Sequence, residues 1–331
     1  MPFLLGVIPP WLSNREALKA REVVVQSFIR YQSEGHYTEQ HGASHFIQKW
    51  TEHHMQAGIK NDDIARLHLG LLFPLVAGTI PTAFWLIYHL FSDENVLQTC
   101  REEVSKALTV EEAAETSNCT LKVNYIKTSC PTLLAVLNEV YRVHGIGTGI
   151  RVAVEDGYLA DRNTGASHLI KKGGIVLIPV RVQHRLASAG WETGGKDEFP
   201  EGGEGNEDLD RFDHTRLLRN NKSSTAGGGD KRPQRHDPVA FRIFGGGKVL
   251  CPGRHFATTS VLVFAAMLIL RFDVVPGSVG RDGKPCWVMP STKNSAMAEG
   301  LEQPDEDIDI VITQRKDTVQ GSWSLSFARA S

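Results

Sequence analysis

The sequence predicts a mainly α-helical protein carrying small β-sheets. Apolar residues recur at three- to four-residue spacing along several long segments, whereas period-two alternation is confined to short runs between turn residues. With 331 residues, 41% of them hydrophobic and 22% charged, the chain can bury a large core as one big domain or two.

The opening stretch Met1–Leu12 is apolar but short, is broken by Pro9 and Pro10 and has no basic leader. It matches neither a signal peptide nor an anchor. Asn14 reads as the cap of a helix to about Tyr31, with Ala17, Val24, Val25 and Phe28 on one face, and a second helix follows from about Ala43 to Met55. Both read as packing elements.

The most apolar run is Leu67 to Phe91. Its length permits a transmembrane helix, but Pro74, Pro81, His68 and His89 fall inside it and Ser92-Asp-Glu-Asn follows without a basic flank. The reading preferred here is a long buried helix at the centre of a large domain. Within it, Pro81 has no N–H to donate to the carbonyl of Ala77, so Ala77-Gly-Thr-Ile-Pro-Thr82 is expected to open locally.

Another helix is expected from Asp93 to about Leu108, then a polar connection from Glu111 to Cys130, then a helix marked by Leu133, Leu134, Leu137, Val140 and Tyr141. On that helix Glu139 and Arg142 stand three apart, so their side chains share a face and can pair. Strands are expected at Ile150–Val154 and, across the Lys171–Gly174 turn, at Ile175–Pro179, with two more at Arg271–Val275 and Asp307–Thr313. Residues Gly194–Pro238 are rich in small and charged types and read as an extended surface loop with Arg211 and Phe212 as its ordered island.

The chemistry concentrates in Phe244-Gly-Gly-Gly-Lys-Val-Leu-Cys251-Pro-Gly-Arg-His, which leads into an apolar helix from Arg254 to Leu270 with Pro252 in its first turn. A sulfur beside a helix N-terminus sees its N–H groups and positive dipole end, which favours the thiolate that binds metal. The glycines let the backbone turn tightly and pass close to a flat partner. One cysteine without neighbouring ligands cannot close a tetrahedral zinc site, whereas a single thiolate suits a haem iron. The alternative is a buried structural cysteine after a glycine turn. The five cysteines are odd in number and irregularly spaced, which suggests a reducing compartment. The net charge of −2 argues against a nucleic-acid surface. The sequons at Asn118 and Asn221 read as chance.

The pattern Phe-x-x-Gly-x-x-x-Cys-x-Gly, filled by Phe244, Gly247, Cys251 and Gly253, resembles the haem-binding loop of the cytochrome P450 haem-thiolate enzymes. The basic residue that the family usually has two before the cysteine is Val249 here. Ala77 and Gly78 match the family's oxygen-helix motif, but its acid position holds Ile80 and its alcohol position Pro81, and the Thr-Ile-Pro sequence is similar to the branch of sterol 7α-hydroxylases and prostacyclin synthase. Thr79 or Thr82 would supply the missing hydroxyl, unless both bond their own helix backbone.

What the resemblance implies is the C-terminal catalytic part of the cytochrome P450 fold, holding haem b through the Cys251 thiolate, with Arg151 on a haem propionate. Glu139 and Arg142 would form a buried structural pair with a later arginine, for which Arg211 is the candidate. Gln183-His-Arg and Trp191 fit the family's next segment, and the turn at 295–297 would face substrate. By resemblance residues 1–60 are a helical remnant, 61–316 the catalytic core with the insertion at 194–238, and 317–331 a tail; against the family the chain looks N-terminally short. The implied reaction is oxygenation of an apolar small molecule, a lipid, sterol or secondary metabolite, with O2 and electrons from an NADPH-dependent cytochrome P450 reductase. Two alternatives stand beside it: a reductase-independent isomerase or dehydratase acting on a peroxide, and an inactive fragment. The family's place is the cytosolic face of the endoplasmic reticulum membrane; with no anchor visible in the sequence, a cytoplasmic location is the alternative.

Overall fold

The computed structural model describes residues 15–112, 117–161, 164–185, 207–222, 241–295 and 300–327. Met1–Leu12, Asn14, Trp191, most of 194–238 and residues 296 and 297 therefore lie outside the described residues. Contacts divide the chain into two compact units, 1–77 and 78–331.

The first unit is helical. Helix α1 (Arg15–Ser33) lies against α3 (Asn61–Pro74), and α2 (His45–Gln56) packs on α3 as well. Ser44 caps α2 by accepting from the Ile47 amide at 3.4 Å. The three meet around His68, whose ring stacks on Phe28 at 5.3 Å and lies 4.6 Å from Trp50. Burial, followed by the charge of His54, holds the His68 pKa down.

The chain passes between units in a π-helical turn, Leu75–Thr79, and continues as α4 (Ile80–Phe91). The opening expected from Pro81 is this wider turn, with Pro81 in the first turn of α4, where a missing N–H is tolerated. The expected single buried helix is only half right. Trp85, Leu86 and Leu90 are buried, whereas Leu72, Phe73, Val76 and Ile80 are exposed, Phe73 and Ile80 by 61% and 59%. Mean apolarity does not distinguish a helix enclosed on all sides from one with an uncovered stretch.

The core of the second unit joins α4 to α5 (Glu94–Ser105), α7 (Pro131–His144) and α11 (Arg254–Arg271) through residues such as Leu97, Leu133, Val136, Leu262 and Ile269. Asp93 caps α5 by accepting from the Asn95 and Val96 amides. The Glu103 carboxylate on α5 caps α7 from outside, taking the Thr132 amide at 2.9 Å and that of Leu133 at 3.3 Å. The polar connection expected over 111–130 is instead β2 (Ser117–Lys122) and α6 (Val123–Ser129), with Cys119, Leu121 and Ile126 fully buried. β2 runs antiparallel to β1 (Leu108–Glu111) and parallel to β11 (Gly321–Ser326), so part of 317–331 is a sheet strand. Such pairing joins residues two hundred apart and leaves no local pattern to read.

The remaining sheets are two-stranded: β3 (Thr148–Val152) with β6 (Ile175–Pro179), β4 (Gly157–Ala160) with β5 (Ser167–Ile170), and β9 (Phe272–Pro276) with β10 (Ile310–Gln314), all antiparallel. Two of these pairs, β3–β6 and β9–β10, contain the expected strands within a few residues; the β4–β5 hairpin was not expected. Within 194–238 the described residues hold two short helices, α9 (Glu207–Asp210) and α10 (Thr215–Lys222).

Glu139 and Arg142 are both fully buried and form a bidentate pair, with each N···O distance 2.7 Å. The other donors of Arg142 go to the carbonyls of Leu209 at 2.7 Å, His184 at 3.3 Å and Arg211 at 3.2 Å. All five guanidinium N–H groups are thereby used. Arg211 contributes only its carbonyl, so the expected third arginine is a correction: the buried guanidinium beside Glu139 is that of Arg216, with Nε at 3.7 Å.

A second buried network joins α4, α7 and α8 (Val180–His184) to the segment at Glu302. His89 Nε2 lies 3.0 Å from His144 Nε2, and His144 Nδ1 lies 3.0 Å from Glu302 Oε2. Arg181 pairs with Glu302 at 2.8 Å, and the Trp85 indole donates to the Glu302 carbonyl while stacking on His144 at 3.9 Å. The ionised carboxylate takes the Nδ1 proton of His144, so Nε2 of His144 accepts from His89. Burial and then the neighbouring His144 push the His89 pKa well down. Burial also lowers that of His144, with Arg181 and Arg185 adding to it against the opposing pull of Glu302. For Glu302, burial raises the pKa, but the His144 hydrogen bond and the Arg181 charge outweigh it and the net shift is downward.

Two outcomes are expected. In chemical denaturation Arg142→Leu costs about 3–5 kcal/mol by stranding the Glu139 charge, Arg216→Ala costs less, and Arg211→Ala stays within about 0.5 kcal/mol; equal losses at 211 and 216 would contradict the assignment. The depressed histidine pKa values mean that the unfolded chain binds more protons, so the network's contribution is complete above the unfolded histidine value of about 6.5 and is lost as pH falls from there, by at most about 1.4 kcal/mol per pH unit for each proton. Melting temperature measured from pH 8 to pH 5 shows this as a decline below about 6.5, which His89→Gln, keeping an N–H donor, makes shallower.

Candidate functional site

The glycine-rich loop folds as a small hairpin, β7 (Gly245–Gly246) against β8 (Val249–Leu250). Gly245 and Gly247 have φ of +84° and +69°, in the left-handed region that favours glycine. The Cys251 amide donates to the Phe244 carbonyl at 2.8 Å, which closes the hairpin and holds the cysteine at its exit. The Cys251 side chain is a free thiol on an exposed residue, which removes the alternative of a buried structural cysteine. Helix α11 starts at Arg254 with Gly253 as its cap, so Pro252 precedes the first turn instead of occupying it. The Cys251 carbonyl accepts from Arg254 Nη1 at 2.9 Å, and a Cβ placed on Gly253 would touch the sulfur at 4.0 Å.

Behind the loop stands Tyr141 from α7. Its ring meets Phe244 edge to face at 5.1 Å. Its hydroxyl is hydrogen-bonded to Thr258 on α11 and Thr82 on α4; burial, first, and the nearby Cys251 raise its pKa against the effect of those two bonds. The Thr82 hydroxyl in turn donates to the Gly78 carbonyl at 2.7 Å, and its residue is buried. Thr82 thus bonds its own helix backbone, the alternative weighed for the threonines. Ala77, Gly78 and Thr79 lie in the π-helical turn, while Phe244 and Gly247 belong to the cysteine hairpin.

Beside the hairpin is a cavity of about 390 Å³ whose lining includes Thr148, Arg151, Arg242, Gly245, Gly246 and Gly247. Two arginines line it, and among the described residues no carboxylate does. Arg151 Nη2 donates to the Gly246 carbonyl at 3.2 Å, which ties β3 to the loop. The Arg242 backbone is fixed by His184, whose Nε2 accepts the Arg242 amide at 3.0 Å and whose Nδ1 faces the Arg142 carbonyl at 3.1 Å. Sequence reading missed Arg242, Tyr141 and His184; the one local signal was an arginine two residues before Phe244.

The residues fit a flat, mainly apolar group that carries anions at one edge, as haem does. Val249, Leu250 and Phe256 around the exposed cysteine are themselves exposed, Val249 and Phe256 by 68% and 63%, and an apolar plane would cover such side chains. Thr148 Oγ1 and Arg242 Nε are buried in the cavity wall without a hydrogen-bond partner, which is where carboxylate oxygens would be taken. Among the described residues no three His, Cys, Asp or Glu side chains gather as a metal site of their own.

Comparison with known proteins bears on the family of the chain. The cytochrome P450 family model matches residues 8–189, a span that includes Glu139 and Arg142 and stops short of Cys251. A cytochrome P450 monooxygenase nodJ of Hypoxylon pulicicidum is 28% identical over 324 residues, covering 97% of this chain and 56% of the relative. The 25-hydroxycholesterol 7-alpha-hydroxylase of Rattus norvegicus is 26% identical over 256 residues, covering 76% of this chain and 54% of the relative. A cytochrome P450 monooxygenase of Gibberella zeae is 29% identical over 219 residues, 66% of this chain and 37% of the relative. The chain spans about half the length of the first of these relatives. With the matched family model extending over more than half of its residues, the chain belongs to the cytochrome P450 family.

Proposed function

We propose that the chain carries the catalytic part of a haem-thiolate monooxygenase that oxygenates an apolar small molecule. The observation that carries this reading is the exposed Cys251 at the exit of a hairpin braced by Tyr141, with two cations and two orphaned polar atoms in the wall beside it. Cys251 would hold the iron through its sulfur, while Phe244 and the glycines at 245 and 247 keep the loop flat against the ring. Bound haem supplies the oxidation itself: one atom of O2 enters a C–H bond and the other leaves as water, with two electrons and two protons consumed.

The chain's residues bind, orient and exclude water. Arg151 and Arg242 would neutralise the carboxylate edge, and exposed apolar residues such as Ile80 and Phe256 would take apolar partners. Because Thr82 commits its proton to the Gly78 carbonyl, Thr79 is the better of the two threonines for holding a proton near substrate. Electrons would come from an NADPH-dependent reductase. The names of the relatives support a sterol-like or secondary-metabolite substrate, and family resemblance supports the cytosolic face of the endoplasmic reticulum; two helical stretches, 61–91 and 254–271, are long and apolar enough to cross a membrane by length and composition.

One observation favours a second reading, rearrangement of a peroxide without a reductase. The acid and alcohol positions of the oxygen helix hold Ile80 and Pro81, neither of which can carry a proton.

The test is the absorption spectrum of protein expressed with haem, after reduction under carbon monoxide. A red-shifted Soret band of the thiolate type, lost in Cys251→Ala, is expected. A histidine-type band, or no haem uptake by folded protein, would overturn the assignment of Cys251. Turnover that depends strictly on NADPH and reductase is expected of the monooxygenase; turnover of a hydroperoxide without them would replace it with the second reading.

A further inference from the structure

We propose that the cavity beside the hairpin is a carboxylate-binding site in which Arg242 does the work of the basic residue that is missing at position 249, two before the cysteine. Val249 has no charge and is exposed by 68%. Arg242 reaches the same glycines from the other side: its guanidinium lies against Gly246 so closely that a Cβ there would collide with Nη1. Any side chain at position 246, whose φ is not in the left-handed region, would push that guanidinium aside. Arg242 is therefore built into the loop rather than waving over it, and its backbone is held at 3.0 Å by His184, which in turn faces the carbonyl of the buried Arg142.

Three observations make this an anion site. Two arginines, Arg151 and Arg242, line the cavity, and among the described residues no acidic one does, so the charge they bring to it is positive. Arg242 Nε and Thr148 Oγ1 are buried there without a hydrogen-bond partner; an oxyanion would satisfy both. The backbone carbonyl of Gly246 already takes one donor from Arg151, which fixes that guanidinium and leaves it beside Arg242, an arrangement suited to one carboxylate on each arginine or one shared by both. Identifying the ligand as the carboxylate edge of haem rests on the function proposed above; the anion site itself does not.

The experiment titrates haem-free protein with hemin and, in parallel, with the iron porphyrin dimethyl ester, in which both carboxylates are masked. Wild type is expected to prefer hemin by about tenfold or more, the scale of one or two charge-assisted hydrogen bonds. Arg242→Gln is expected to lose most of that preference while binding the ester as wild type does and keeping the thiolate-type spectrum; Arg242→Lys retains part of it. Equal affinity of wild type for the two porphyrins, or an unchanged preference in Arg242→Gln, would overturn the proposal, and the first of these needs no variant to fold. If wild type takes up neither porphyrin, the probe becomes succinate in a thermal-shift titration. A rise in melting temperature that disappears in Arg242→Gln would support the anion site and count against the haem reading, whereas no rise in wild type would overturn both.

Discussion

The buried guanidinium of Arg142 is the constraint on which the second unit depends. A charge taken fully out of water is tolerated only when every donor is satisfied, and here that requires Glu139 from the same helix and the carbonyls of His184, Leu209 and Arg211 from two other places in the chain. Those carbonyls are presented only when the residues around 184 and 207–213 are in position. The pair therefore acts as a condition on the fold: a compact state without these segments docked leaves an unpaired charge in the core. Glu139 repeats the condition through its oxygen, which takes the Asp213 amide and faces Arg216.

The same cluster supports the cysteine hairpin. His184, set by Arg142 on one side, holds the Arg242 amide on the other, and Arg242 fills the space against Gly246. One residue before Arg142 on the helix, Tyr141 turns the other way to brace Phe244 and to join Thr82 with Thr258. A short loop of glycines has little side-chain packing of its own and gains its definition from what stands behind it. In this protein that backing comes from one turn of one helix, which links the structural ion pair to the geometry of the sulfur.

The His89–His144–Glu302 network serves a different connection. It joins the apolar helix 80–91 to the segment following residue 300 through directional bonds among groups that greasy contact alone would not place. Trp85 and Phe212 stack on the rings at 3.9 and 3.6 Å. Burial favours both histidines in the neutral form, and a proton on His144 Nε2 would set two N–H groups against each other.

Much of this was legible in order along the chain. The sequence by itself determined the helices, since apolar spacing and caps such as Asp93 act within a turn or two. It also determined the cysteine hairpin, because positive φ at 245 and 247 demands glycine, and the facing of Glu139 and Arg142, because three residues on a helix allow nothing else. Tertiary structure alone decided which arginine stands by Glu139, since Arg211 and Arg216 are equally basic in sequence and differ only in how the turn at 211–215 directs them. It decided that Ser117–Lys122 is a strand, because its partner β11 lies two hundred residues away. It decided too that a cation seven residues before Val249 in sequence would stand beside the loop: a hairpin brings distant neighbours together, and no local pattern encodes that approach.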